Sequence, residues 1–497
     1  MNESKEKGIT LVVLIITIVI LLILAGIGIA VLTGENGLFT RAQQAKEKTI
    51  EAQKNEEATI SEYMDEMDKY ITDYAEGKWN SDKKVNSPKL MEGMTGVYWD
   101  ETGKEVEVTS ENAKNWYNYD KQKWANAKTK DGSYWVWIPR YAYQIESGCY
   151  TNTAGKISIK FLQGTSNKDS EGKEISTKYP TVTGGKMADY VVHPSFTNGK
   201  ANNYMNGEWD KELTGYWVAK YAAGYQECTQ TIAQNGTITE PTSNTSNIKY
   251  SDKKYTNNRY SSNAISQNLS SLPQMSYPVF KPLTYAYNCI TTGDIYTLTQ
   301  EIAKAKDFYG LNSKQTDSHQ MKNSEWGAVA YLTQSKYGRD GTEVTKNSKN
   351  LSNLNSKNIY AVTGYANSIT NDNSVSTTNN KTGIFDLSGC VWEYTAAYIS
   401  NGDSSINLYG QSYASAEANQ NGYKTLSTKY ATVYPYDSSN LGTTYNNLKS
   451  ETYGFGDAIL ETSNRTGAAS NSWNSDYSSF PYSSSPFSTW WLLRQYF

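Results

Sequence analysis

Lys5-Glu6-Lys7-Gly8 is followed without a break by Ile9-Thr10-Leu11-Val12-Val13-Leu14 and an apolar run that continues to Leu32. No charged residue enters the run, and Thr10, Thr17, Gly26 and Gly28 are its only interruptions. A helix of roughly 20 such residues, each rising about 1.5 Å, crosses the hydrocarbon core of a bilayer. Gly28-Ile29-Ala30 has the form of a small-x-small cleavage site, but it lies inside an apolar run longer than a secretory h-region. The stretch therefore reads as a single membrane span, about Ile9 to Leu32, that stays with the chain and tethers the rest of it.

The charged leader ending in Gly8, with an apolar helix beginning at Ile9, resembles the N-terminus of type IV pilins and pseudopilins over residues 1–75. That resemblance implies cleavage between Gly8 and Ile9, a helix that both anchors and packs in a filament, and pilin-like protomers as partners. One position departs from it. The fifth residue after the cut is Val13, where pilins carry a Glu that pairs with the neighbouring subunit's amine. The missing carboxylate argues against ordinary filament assembly. A plain signal anchor is the alternative reading.

The 497 residues hold a tail helix plus one large or two medium domains. A net charge of −3 does not point to nucleic acid as a partner. The 41 Tyr and 13 Trp, against 10 Phe, offer rigid contact area with a polar tip, suited to exposed binding surfaces. AT-rich coding sequence favours Tyr, Asn and Lys as well. Cys149, Cys228, Cys289 and Cys390 are widely spaced, so no zinc or redox Cys-x-x-Cys pair exists. Their pairing into one or two disulfides is left open. With only His193 and His319, a histidine metal site or catalytic triad is not expected. No acidic loop has calcium-ligand spacing, and no cofactor is expected.

Thr33 to Gly37 breaks the apolar run, and the composition predicts a second helix from Leu38 to Tyr74. Ile60, Met64, Met67 and Ile71 recur at helical spacing and form an amphipathic stripe. Beyond Gly77 the reading gives a linker with small strands over 76–130, then a globular domain over 131–497. Two runs resemble each other, Tyr134–Tyr143 and Tyr216–Ala223; their alternating aromatic and β-branched residues predict two sheet strands. Helices are predicted over Thr297–Tyr309 and Ser324–Ser335. Long polar loops are predicted over about 228–275, 339–380 and 400–450.

Three blocks carry a second resemblance. Gly215-Tyr216-Trp217-Val218-Ala219-Lys220-Tyr221, Glu325-Trp326 within Met321–Tyr331, and Asp386-Leu387-Ser388-Gly389-Cys390-Val391-Trp392-Glu393-Tyr394 are similar to motifs of the formylglycine-generating-enzyme (sulfatase-modifying factor) family. The resemblance covers about residues 130–497 and implies a divergent C-type-lectin-like fold. The fold class expected for the whole chain is α+β: a long pilin-like transmembrane helix, then a lectin-like domain with much irregular structure. Trp217, Trp326, Gly389, Trp392 and Glu393 are then structural motif residues. Glu393 as a catalytic acid is the alternative for that residue.

The family's enzymes bind copper through two closely spaced cysteines near the C-terminus, and this chain has none after Cys390. The expectation is a non-enzymatic scaffold that presents loops. The tail from Gly456 to Tyr482 mixes Ser, Asn, Tyr and Trp and resembles the C-terminal part of retroelement-diversified variable proteins. Their usual Arg-Gly-Gly is missing, and the chain closes at Trp490–Phe497, so the end reads as truncated or divergent. Trp473, Tyr477, Phe480 and Tyr482 are the expected ligand-binding residues. The function expected is ligand recognition or adhesion at the cell surface by a single-pass protein with its C-terminal domain outside. A minor pilin of a secretion or pilus machine, or an oxidase of the formylglycine-generating family, are the alternatives.

Overall fold

The structure is a computed structural model. It describes residues 11–33, 37–71, 74–149, 155–198, 209–225, 277–282, 284, 286, 292–344, 347, 350–351, 360–361, 363–364, 376–390, 395–400, 414–418, 424–426, 429–435, 456–458, 469–472, 476–479 and 495–496. The chain divides into two compact units, residues 1–72 and 73–497.

The first unit is helical. Helix α1 spans Leu11–Thr33 and α2 spans Leu38–Ile71. Leu11, Val12, Ile15, Ile18, Leu22, Ile23 and Ile27 are all exposed, distributed around the whole circumference of α1. A helix apolar on every side is suited to a membrane interior, not to packing along one face. α1 is long and apolar enough to cross a membrane, a property that a signal sequence shares. In α2, Thr49 and Thr59 donate to the carbonyls four residues earlier, Ala45 and Asn55. The stripe residues Ile60, Met64, Met67 and Ile71 fall within α2; their side chains lie outside the described ones.

The second unit mixes helix and strand. Its strands are β1 (Met94–Trp99), β2 (Glu105–Glu107), β3 (Asn126–Thr129), β4 (Tyr134–Pro139), β5 (Tyr141–Ile145), β6 (Ile157–Phe161), β7 (Val191–Val192), β8 (Gly215–Ala219), β9 (His319–Gln320) and β10 (Gln495–Tyr496), with minor strands elsewhere. Seven of these form one antiparallel sheet in the order β9-β10-β8-β4-β3-β1-β2. β5 lies between β7 and β6 in a second sheet. Residues 76–130 thus supply three strands of the central sheet. The helices of this unit are α3 (Thr292–Ile302), a single turn α4 (Lys306–Tyr309) and α5 (Asn323–Thr333). The helix expected over Thr297–Tyr309 starts five residues earlier and is broken after Ile302 by a turn through Ala303 and Lys304, with Gly310 left-handed at its end.

The two mutually similar runs are sheet neighbours. β4 and β8 pair with Tyr216 opposite Ile138, Trp217 opposite Trp137 and Val218 opposite Val136. Residues 135–139 and 216–219 are all buried, so both faces of this strand pair are covered. Trp137 and Trp217 meet edge-on, centroids 5.4 Å apart, and Trp116 stacks on Trp217 at 6.5 Å. Buried indoles need an acceptor. Trp116, Trp124 and Trp217 donate to the carbonyls of Asn126, Tyr337 and Lys89 at 2.8, 2.9 and 2.6 Å. The second sheet is joined to α5 by Tyr141 Oη donating to the Ala328 carbonyl at 2.6 Å and by the Tyr143–Tyr331 stack at 4.7 Å.

Two expected loop regions hold regular structure among their described residues. Within 400–450, Ala414–Ala418 pairs with Lys424–Leu426, and Thr432–Pro435 runs parallel to Ala397–Ser400. Within 339–380, Asn350–Leu351 pairs with Tyr360–Ala361. The expected loop at 228–275 lies outside the described residues.

Candidate ligand-binding site

Of the residues singled out in the sequence, Gly8, Ile9, Trp392, Glu393, Trp473, Phe480 and Tyr482 lie outside the described residues. Tyr477 sits in strand Asp476–Ser479, opposite Asn471 of Ala469–Ser472; its side chain is not described. Trp217 is fully buried in the core and Trp326 is half-buried on α5.

Gly389 occupies a loop held in unusual backbone. Asp386, Gly389 and Cys390 have φ of 64°, 82° and 63°, and a Cβ on Gly389 would collide with the Asn347 carbonyl. Left-handed non-glycine residues persist only where the surroundings enforce them. Here the Asp386 carboxylate accepts the backbone N–H of Ala222 at 3.2 Å and of Gly364 at 2.8 Å, and the Asn347 side-chain amide at 2.9 Å. Phe385 N donates to the Lys220 carbonyl at 2.9 Å. The first and third sequence blocks are therefore fastened to one another through backbone groups. The second joins them less directly, as Ala396 N donates to the Met321 carbonyl at 2.6 Å just before α5.

The strongly perturbed ionisable groups are inside. Lys220 is wholly buried, its Nζ donating to Asn126 Oδ1 at 2.8 Å and the Lys381 carbonyl at 2.5 Å. Burial holds its amine well below the ordinary lysine range, with the charge of Glu105 opposing. Burial pushes His193 down to about 3. Glu325 is also wholly buried. Its burial works to raise the carboxyl, but His319, at 3.1 Å, and Lys322 hold it below the usual range. Glu325 also accepts the Lys322 N–H at 2.8 Å, one arm of the capping box that starts α5. None of these three side chains has solvent access, so they act on stability and geometry rather than on a bound molecule.

A cleft of about 400 Å³ opens between the β1–β2 hairpin, the 115–123 turn and the 379–382 loop. Trp99, Asn115, Lys121, Asn379, Lys381 and Thr382 are among its lining residues. Lys220 Nζ lies 4.5 Å from the centroid of Trp99, and the ring stays half-exposed where it borders the cleft. Asp100 takes no part as a free acceptor, because its Oδ1 already accepts from Thr102 N, Thr102 Oγ1 and Lys104 N. Thr382 Oγ1 accepts the Trp124 N–H at 2.7 Å and fixes the loop. Asn115 and Asn379 are exposed, and Asn379 is left-handed with φ 62°. Reading the sequence for function passed over this cleft. The signals for it were the Tyr98-Trp99-Asp100 end of a strand before a Thr-Gly turn, and the Asn379-Asn380-Lys381 run.

Comparison of the chain with protein-family models and with curated proteins finds no match.

Proposed function

We propose that the chain is a membrane-anchored, pilin-like surface protein whose lectin-like domain recognises a ligand without catalysing a reaction. The observation that carries this reading is α1, whose apolar side chains are exposed on every side. Such a surface is stable only in a hydrocarbon environment or against other apolar helices. The rest of the chain forms a separate compact unit whose aromatic core contains the sequence blocks similar to the formylglycine-generating-enzyme family. A binding role is supported by where the reactive groups sit: Lys220, His193 and Glu325 are sealed in that core, and the 379–382 cleft is lined by amides and an indole.

Membrane fractionation with external protease tests this. The chain should remain with the membrane after an alkaline carbonate wash, and protease added to intact cells should release the unit beyond residue 72. A chain recovered in the soluble fraction, or protected from external protease, would overturn the reading.

A further inference from the structure

We infer that the cleft bordered by Trp99 and the 379–382 loop is a binding site for a short, uncharged oligosaccharide. The inference rests on the recognition role proposed above and adds both the site and the class of ligand.

The volume comes first. About 400 Å³ lies within the roughly 300–1,000 Å³ typical of small-molecule clefts, too small for a protein segment with tertiary structure of its own. The lining chemistry comes next. An indole face carries negative quadrupole density and attracts the slightly positive C–H face of a pyranose ring. Trp99 is half-exposed at the cleft, and Lys220 on the inner side fixes its plane through the 4.5 Å cation–π contact. A rigid, pre-oriented ring costs little entropy when a ligand stacks on it.

The amides supply the polar half. Asn115 and Asn379 are exposed on the cleft, and each side-chain amide offers two N–H donors and one carbonyl acceptor. Donor-plus-acceptor groups of that kind match vicinal hydroxyls, which also donate and accept. Charge argues in the same direction. Lys121, Lys123 and Lys381 line the cleft together with Asp100 and Glu101, so neither sign dominates. A strongly anionic or cationic ligand has no complementary field there. A lipid would leave the amides and lysines desolvated and unpaired.

The backbone holds this surface in place before any ligand arrives. Thr382 Oγ1 is tied to Trp124 N, Asn126 Nδ2 donates to the Thr382 carbonyl at 2.6 Å, and the Lys381 carbonyl accepts from Lys220. The loop that presents Asn379 is thereby anchored to the central sheet at three consecutive points of attachment to buried groups.

The test uses the full chain in lipid nanodiscs, with chitotriose and cellotriose as probes, read by saturation-transfer NMR and titration calorimetry. At least one trisaccharide should bind saturably. Trp99→Ala should weaken it by about tenfold or more, the size of effect expected for an aromatic anchor. Because Trp99 also covers Lys220, a second variant decides the matter if the first fails to fold. Asn115→Ala with Asn379→Gly removes both exposed amides, and glycine suits the left-handed backbone at 379. That double variant should keep the parent melting temperature and lose about tenfold in affinity. No binding of either sugar at millimolar concentration, or binding unchanged in the double variant, would overturn the inference. Cell adhesion retained by a chain that ignores both sugars would overturn it too, while leaving surface recognition standing.

Discussion

Lys220 Nζ donates to Asn126 Oδ1 at 2.8 Å in a fully buried position, joining the end of β8 to the start of β3 across 94 residues. Asn126 in turn donates to the carbonyls of Trp124 at 2.9 Å and Thr382 at 2.6 Å. One side-chain amide thus satisfies a buried amine and two carbonyls at once. A buried polar group left without its partner costs about 1–3 kcal/mol. Asn126→Ala should therefore lower stability by more than about 2 kcal/mol, since several partners lose their bond together. Urea unfolding of the chain would measure it, and an unchanged midpoint would show that water replaces the amide.

The left-handed loop at 386–390 should be intolerant of change. Asp386→Ala leaves the N–H groups of Ala222 and Gly364 without their carboxylate acceptor, and Gly389→Ala forces a Cβ against the Asn347 carbonyl. Each should destabilise by about 2–4 kcal/mol, from lost buried hydrogen bonds in one case and backbone collision in the other. Thermal melts of the two variants compared with Ser388→Ala would check this. A Gly389→Ala chain that melts normally would show the loop to be free to shift.

Trp217→Ala should cost about 3–5 kcal/mol, the range for deleting a fully buried aromatic side chain. The loss has three sources: the packing against Trp137 and Trp116, the cavity, and the Lys89 carbonyl left without its indole donor. Trp326→Ala, at a half-buried position, should cost distinctly less. Equal losses at the two sites would contradict the burial difference.

Acid should weaken the fold through His193. Its pKa is pushed from 6.5 down to about 3 by burial among Tyr141, Tyr143, Phe196 and Tyr331, with Ser195 Oγ on Nδ1 at 3.0 Å. Between those two values the unfolded chain takes up a proton that the folded chain refuses. The contribution is thus complete above pH 6.5 and is lost as the pH falls toward 3. From pH 7 to pH 5 the loss should be about 2 kcal/mol. His193→Gln should flatten the slope in that interval, where most carboxylates are still ionised. A parent-like slope in the variant would assign the effect to other groups.

On the proposed reading, the mature N-terminus is Ile9. Mass spectrometry of the membrane-bound chain would show it directly. An intact Met1, or a cut after Ala30, would remove the pilin-like reading of the leader. In that event Gly8→Ala would leave processing unchanged.

The membrane-length helix, the long helix after it and the pairing tendency of two aromatic runs were legible from composition and periodicity, because each depends on residues close in the chain. A charge-free run from Ile9 to Leu32 has few structural options, and the alternation in Tyr134–Pro139 and Gly215–Ala219 is a local pattern. Tertiary structure alone decided that residues 94–107 join the central sheet, that Gln495–Tyr496 inserts between β8 and β9, and that α3 begins at Thr292. It alone placed Lys220 against Asn126 and Trp99, and assembled a cleft from segments near 99, 115 and 380. The physical reason is the distance over which each is determined. Helix and strand propensity act between neighbours, whereas a buried lysine finds its acceptors, and a cleft its walls, only after strands far apart in sequence have paired and excluded water.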